Sequence, residues 1–353
     1  MTGALLEVDE LSKRFRVRGR RRKYVHAVNG VSFDLRRGET LGLVGESGSG
    51  KTTVGRCVLG LERPTDGSIR FHGTDIAGLG RRGLRSIRQR IQIVFQEPYD
   101  SLDPRLRLGD SIALPLKAAG EVGRKERSRR VSELAELMGL EQEDLRCFPH
   151  ELSAGQLQRA GVARAMATEP EVIVLDEPTS LLDVSVRATV VALLRDVQRK
   201  AKVAFIFISH DLTAVRHISD RVAVMYLGRI VEVAPTEEIF AAPRHPYTKA
   251  LLSAVLLPEL GARKDRYRLA GEIPSPIDLP VGCSLCARCP VAIEACGAAP
   301  PRLAAFSPGH RVACIRAGEP GWDAGEKTLG PSAPTNTATD PTPTEESMAD
   351  GKR

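Results

Sequence analysis

The sequence predicts an α/β fold with buried core strands, and three stretches predict it. Thr40 to Val44 is an apolar run of strand length that leads into GESGSGKTT (Gly45 to Thr53) and then into a segment that continues as a helix through Leu59. Val172 to Glu177, VIVLDE, is a β-branched run ending in two carboxylates, the form of a core strand that delivers acids to the C-terminal edge of a sheet. Val203 to Ile208 reads as a further strand, with His210 just past its end.

The glycine-rich stretch sits in the strand, loop, helix setting that a phosphate-binding loop requires, so the fold is expected to be α/β of the P-loop type. Backbone N–H groups must point inward at an anion. Gly45, Gly48 and Gly50 permit the tight loop that does this, with Glu46, Ser47, Ser49 and Thr53 completing it. Lys51 is expected to reach the β- and γ-phosphates of a nucleotide while the Thr52 hydroxyl ligates Mg²⁺, and the helix N-terminus behind them adds a favourable dipole. Asp176 is placed to hold Mg²⁺, and Glu177 to orient and deprotonate the attacking water. A lone histidine is more often structural, so a γ-phosphate contact for His210 rests on the company it keeps.

A chain of 353 residues is long enough for a large core, a second module and a tail. There is no charged-then-apolar leader, and no apolar run approaches the roughly 18 to 20 residues that span a bilayer. The expectation is a cytoplasmic protein, brought to a membrane only by a partner. The net charge of +7 is concentrated in Lys13 to Lys23 and Arg81 to Arg90, a pattern that fits nucleic acid or an anionic membrane face but more commonly marks a solvated surface. Five of the seven cysteines lie between Cys283 and Cys314, and clustering of that kind in a cytosolic chain points to metal ligation rather than disulfides.

In chain order, Leu5 to Val8, Val31 to Leu35 and Ile69 to Phe71 read as strands and give a β-rich start. Tyr24, at the end of the basic loop, is a candidate for stacking on a nucleotide base, or a loop anchor. Ile91 to Phe95 reads as a buried strand followed directly by Gln96. From Arg107 to Met138 the pattern is helical, a helical insert in the α/β core. Leu152 to Gln156, LSAGQ, runs into a strong helix, where Ser153, Ala154 and Gly155 offer free N–H groups and a hydroxyl at its N-terminus.

Taken together, these residues resemble the ATP-binding cassette family over roughly Leu5 to Ala241. GESGSGKT is similar to its Walker A motif, Gln96 to its Q-loop, LSAGQ to its signature, VIVLDE to its Walker B, Ser180 to Asp183 (SLLD) to its D-loop, and His210 to its switch histidine. Arg244 to Val255 (RHPYTKALLSAV), Gly271 to Pro276 (GEIPSP) and the cysteine cluster resemble the C-terminal extension of oligopeptide and dipeptide importer ATPases, and FQEPYDSLDPR and VMYLGRIVE resemble the second of the two ATPase subunits of those systems.

The resemblance implies an ATPase that drives solute import as a head-to-tail cassette dimer. In it ATP is held by Gly45 to Thr53 and Tyr24 of one chain and by Ser153, Gly155, Gln156 and Asp183 presented to a sister cassette. Glu177, His210 and Gln96 serve catalysis, and Thr52, Gln96 and Asp176 hold Mg²⁺. The implied partners are a second, different ATPase subunit, two transmembrane permease subunits and an extracytoplasmic solute-binding protein, with this chain peripheral on the cytoplasmic face of the inner membrane and no nucleic acid bound. Ala154 stands where the usual signature has a glycine, and Leu181 where the D-loop usually has alanine. A soluble cassette ATPase acting on nucleic acid or ribosomes is the alternative. Its DNA-repair members insert long coiled coils, and its ribosomal members carry two cassettes, neither of which is seen in this sequence.

By the same resemblance Cys283, Cys289, Cys296 and Cys314 are the ligands of a [4Fe-4S] cluster. Cys286 adds a C-x-x-C-x-x-C run of ferredoxin-type spacing, and zinc is the rival, since thiolates suit both. The expected division is a cassette over 1–241 with a helical subdomain over about 97–168, a C-terminal extension over 242–317, and a disordered tail over 318–353, where large apolar residues are almost lacking.

Overall fold

Every residue of three central strands is buried, β3 (Thr40–Val44), β7 (Val172–Asp176) and β8 (Ala204–Ser209), because each is covered on both faces. The computed structural model that shows this describes residues 3–17, 19, 23–120, 123–254, 267–319 and 322. The expected disordered tail from 320 onward, Trp322 apart, and positions 18 and 20–22 of the basic stretch lie outside the described residues.

The remaining strands are β1 (Leu6–Arg16), β2 (Tyr24–Leu35), β4 (Asp66–Phe71), β5 (Thr74–Asp75), β6 (Ile91–Val94), β9 (Arg221–Tyr226), β10 (Arg229–Pro235), β11 (Ala304–Ser307) and β12 (His310–Val312). Helices are α1 (Lys51–Val58), α2 (Arg81–Arg90), α3 (Pro98–Ser101), α4 (Leu108–Ala119), α5 (Arg124–Leu137), α6 (Ala154–Met166), α7 (Val184–Ala201), α8 (Leu212–Ile218), α9 (Thr236–Ala241) and α10 (Pro246–Ala254). They surround an eight-stranded sheet of order β11-β12-β10-β9-β3-β8-β7-β6, beside a four-stranded antiparallel sheet of order β2-β1-β4-β5. The pairs β6/β7, β7/β8, β8/β3 and β3/β9 are parallel, so their C-terminal ends share one edge.

The two-residue alternation of these strands sends side chains to two cores. Ile173, Leu175, Phe205 and Phe207 face a cluster shared with α4, α6, α7 and α8; Val172, Val174, Ile206 and Ile208 face one shared with α1 and with Leu6, Val8, Phe33 and Leu35 of the antiparallel sheet. The helical stretch expected over Arg107 to Met138 is made of two helices, α4 and α5. Gly120 caps α4 in the left-handed region at φ 77°, and Gly123 precedes α5 in extended conformation.

The C-terminal part returns to the main sheet. The hairpin β11/β12 adds to β10, with Val312 opposite Glu232 and Arg311 opposite Val233. A buried polar staple holds it there. Glu232, fully buried, accepts from the backbone N–H groups of Arg244 (2.6 Å) and His245 (3.0 Å) and pairs with His310 Nε2 at 2.8 Å, while His310 Nδ1 lies 3.2 Å from Glu238. Burial pushes His245 down to about 4, so it is neutral, and its Nδ1 accepts from the Tyr247 N–H at 3.1 Å. Replacing His310 removes one partner of a buried carboxylate without replacing its hydration. His310→Ala is expected to lower stability by about 2 kcal/mol, read as a lower urea midpoint with an unchanged slope.

Candidate functional site

The loop after β3 is shaped by close backbone approach. A Cβ at position 50, where φ is +104°, would stand 2.2 Å from the Ala27 carbonyl oxygen, and one at position 45 would stand 2.2 Å from that of Met225. Only glycine fits either place. Lys51, the first residue of α1, is 5% exposed and donates to the carbonyls of Gly45 (2.9 Å) and Glu46 (3.0 Å), with Ser49 Oγ at 3.4 Å. Burial lowers its pKa, while Glu177, Asp176 and Glu46 act to raise it. The ammonium therefore rests on loop carbonyls.

Thr52 Oγ1 donates to Asp176 Oδ1 at 3.0 Å across the gap between α1 and the end of β7. Asp176 is 5% exposed, and desolvation holds its carboxyl above the usual range against the Thr52 hydrogen bond. A desolvated carboxylate beside a hydroxyl is a hard-oxygen donor set that suits Mg²⁺, which keeps waters and needs only one or two protein oxygens beside substrate phosphates. Gln96 is exposed just after β6, and no hydrogen bond among the described residues ties it to Thr52 or Asp176.

Glu177 follows with a left-handed backbone, φ +50°, an unusual state for a glutamate and one that collects at functional sites. Its N–H donates to the Ile208 carbonyl at 2.9 Å, and its Oε2 meets His210 Nδ1 at 2.5 Å. His210 stands at the end of β8, ahead of Asp211, whose side chain caps α8 by accepting from the Thr213 and Ala214 N–H groups. Arg187 of α7 braces this end, pairing with Asp211 at 2.7 Å and donating to the Leu182 carbonyl at 3.1 Å. Sequence reading passed over Arg187, since a charge within a polar helix face carries no local signal.

Ser153 to Gln156 form a hydrogen-bonded set of their own. Ser153 caps α6 in a reciprocal box: its Oγ accepts from the Gln156 N–H, and Gln156 Oε1 accepts from the Ser153 N–H and hydroxyl, while Gln156 Nε2 donates to Asp144 at 2.9 Å. A Cβ on Gly155 would lie 2.8 Å from Val186 Cγ1, so glycine permits the tight contact of α6 with α7. Asp183 is exposed at the start of α7. No hydrogen bond among the described residues joins Ser153, Gly155, Gln156 or Asp183 to Gly45–Thr53, Asp176, Glu177 or His210. Tyr24, 41% exposed, opens β2 under the Arg14 guanidinium.

The cysteines correct an expectation. Among the described residues no group of three or more His, Cys, Asp or Glu is placed to hold a metal ion. That overturns both the [4Fe-4S] cluster on Cys283, Cys289, Cys296 and Cys314, with Cys286, and its zinc rival. The five thiols line one small cavity of about 20 Å³ that they share with Leu285, Val291 and Pro246, enough for about one water. Burial pushes Cys289 up to about 12 and raises Cys283 and Cys314, so these are neutral thiols.

A phosphate-binding loop facing a paired aspartate and glutamate at the C-terminal edge of a parallel sheet defines a nucleoside-triphosphate-binding α/β protein. Comparison with known proteins narrows the class. Residues 28–180 match the family described as ABC transporter, and residues 231–296 match the oligopeptide/dipeptide transporter C-terminal region. A putative peptide import ATP-binding protein of Brucella ovis is 48% identical over 312 residues, 88% of this chain and 98% of that protein. The oligopeptide transport ATP-binding protein AppF of Bacillus subtilis is 45% identical over 317 residues, 88% of this chain and 96% of that protein. Among solved structures, the dimeric ATP-binding cassette MJ0796 in a post-hydrolysis state with ADP and Pi superposes with a TM-score of 0.60 at 26% identity, over 65% of this chain and 98% of that one. The chain belongs to the ATP-binding cassette family of transporter ATPases, in the branch that carries the oligopeptide/dipeptide C-terminal region. It is accordingly an ATPase. These relatives are named for peptide and oligopeptide transport, not for nucleic acid or ribosomes. The expectation of a heterodimer is likewise corrected: none of these relatives is described as one of two different cassettes, and MJ0796 is described as a dimer of one cassette.

Desolvation of Asp176 has a stability consequence of definite sign. Because its folded pKa is raised, the proton it binds stabilises the fold below the unfolded value near 3.8, and that contribution is lost as pH rises through the folded value. At neutral pH the ionised carboxylate is a cost that a bound cation relieves. Asp176→Asn is therefore expected to raise the melting temperature of nucleotide-free protein at pH 7 relative to wild type, while ATP hydrolysis in Mg²⁺ falls about a hundredfold or more; calorimetry and phosphate release measure the two.

Proposed function

We propose that this chain is the ATP-hydrolysing motor of a membrane importer for oligopeptides, dipeptides or a related solute. In this reading it works at the cytoplasmic face of the cell membrane, as one of a head-to-tail pair of cassettes on two permease subunits fed by an extracytoplasmic solute-binding protein. Among the described residues no helix is long and apolar enough to cross a membrane; in this reading the permease subunits supply the membrane part. Peptide as the solute is supported by the relatives named for peptide and oligopeptide transport and by the matching C-terminal region.

The observation that carries the ATPase part is the convergence of Lys51, Thr52, Asp176, Glu177 and His210 at one end of the central sheet. Lys51 leaves the Gly45 and Glu46 carbonyls for the β- and γ-phosphates of ATP seated on the loop amides. Thr52 and Asp176 hold magnesium, which when bound neutralises charge on the phosphates. Glu177, with His210 on its Oε2, is held where it orients water and accepts its proton as the bond to the γ-phosphorus forms, and Gln96 completes the site only after a rearrangement that brings it inward. Ser153, Gly155, Gln156 and Asp183 are offered to the γ-phosphate of a sister cassette, with the α6 amides as the anion contact. ATP then bridges the two chains, and its hydrolysis releases them.

Glu177→Gln keeps shape and hydrogen bonding but removes the base. Phosphate release by the assembled transporter is expected to fall at least about a hundredfold with ATP affinity within twofold of wild type. Undiminished turnover in that variant would assign the base elsewhere.

A further inference from the structure

All three polar groups of Glu46, the second residue of the phosphate-binding loop, are engaged, and two of them by side chains from the far end of the chain. Its backbone N–H donates to the Tyr247 hydroxyl at 2.9 Å, its carbonyl accepts from Lys51 at 3.0 Å, and its carboxylate faces Arg288 at 3.7 Å. Oε2 of Glu46 is buried without a hydrogen-bond partner, so the Arg288 charge is what offsets its desolvation.

Arg288 is itself fixed. Its side chain is 12% exposed, it donates to the Tyr226 hydroxyl at 3.2 Å and to the Ala270 carbonyl at 3.3 Å, and its own backbone lies in the 3-10 turn Cys286–Arg288. Tyr226 and Tyr247, each 1% exposed, pack ring to ring with centroids 4.6 Å apart. Burial keeps the Tyr247 hydroxyl protonated, so it remains a neutral acceptor for the Glu46 N–H. A continuous set of contacts thus runs from the cysteine-bearing segment through two buried rings to the loop.

We infer that Tyr247 and Arg288 are positioning residues for ATP, acting through Glu46 to hold the loop ready for phosphate. When Lys51 turns to the phosphates it must break its bond to the Glu46 carbonyl. With the amide and carboxylate of Glu46 pinned from behind, the peptide cannot follow the lysine, so the lysine leaves and the loop keeps its shape. Preorganisation of this kind lowers the ordering cost of binding. Nucleotide affinity is therefore set in part by the C-terminal segment, and a disturbance there reaches the ATP site through Arg288.

The inference rests on ATP being seated on the loop, and the test separates the two. Affinity for a fluorescent ATP analogue, KM and kcat are measured in the full chain for Tyr247→Phe, Arg288→Ala, Arg288→Lys, Glu46→Gln and the Arg288→Ala/Glu46→Gln double variant, with Lys51→Ala as reference. Tyr247→Phe and Arg288→Ala are expected to weaken binding and raise KM about three- to tenfold with kcat within twofold. Arg288→Lys should recover part of the loss, and the double variant should be no weaker than the worse single one. Lowered melting temperatures with wild-type affinity would make the two residues merely structural and overturn the inference. If Lys51→Ala loses nucleotide while Tyr247→Phe and Arg288→Ala bind as wild type, this inference alone fails; if Lys51→Ala binds normally, the site fails and the inference with it.

Discussion

The carbonyl oxygens of Ala27 and Met225 occupy the space where Cβ atoms of residues 50 and 45 would be, and the rest of the molecule is arranged to keep them there. Ala27 belongs to β2 of the antiparallel sheet and Met225 to β9 of the main sheet, so the loop between Gly45 and Gly50 is pressed between the ends of both sheets. Further ties close the cradle: the Gly228 N–H donates to the Ser49 carbonyl at 3.0 Å, and the Asn29 N–H to the Gly228 carbonyl at 2.8 Å. A loop so confined keeps one shape, and recognition of a polyphosphate requires a preformed loop.

The chemistry follows from the parallel sheet. Because β3, β7 and β8 run the same way, the loop, the Asp176–Glu177 pair and His210 emerge at one edge, although they are far apart in sequence. Helices packed on the sheet fix the details. Arg187 ties α7 to the cap of α8 beside His210, and α1 carries Lys51 and Thr52 to the end of β7. The desolvation that raises Asp176 and lowers Lys51 comes from the same close packing, so the site holds two charges at a cost that a magnesium nucleotide relieves.

What was legible in the sequence was what buried strands and short-range motifs display. Thr40 to Val44, Val172 to Glu177 and Val203 to Ile208 read as strands because β3, β7 and β8, which they form, are covered on both faces, and the glycines at 45 and 50 mark backbone that no other residue can follow. The hairpin β11/β12 was not legible, since strands of four and three residues with an exposed edge carry almost no periodicity. Nor were Tyr247 and Arg288, whose value lies in contacts with Glu46 that only the folded chain creates. The cysteines misled for the same reason. Spacing of thiols along the chain speaks to ligation only if the fold sets them as a ligand group, and here burial leaves neutral thiols about a cavity of water size.

The central claim is that the confined glycine loop is the seat of ATP, and Gly50→Ala probes it most directly. The added methyl would stand 2.2 Å from the Ala27 carbonyl on a backbone at φ +104°, so the loop must shift while the sheets behind it need not. ATP affinity measured by titration calorimetry, on protein whose circular dichroism matches wild type, is expected to fall at least about a hundredfold, the scale of losing several phosphate hydrogen bonds. Wild-type affinity in that folded variant would contradict the account.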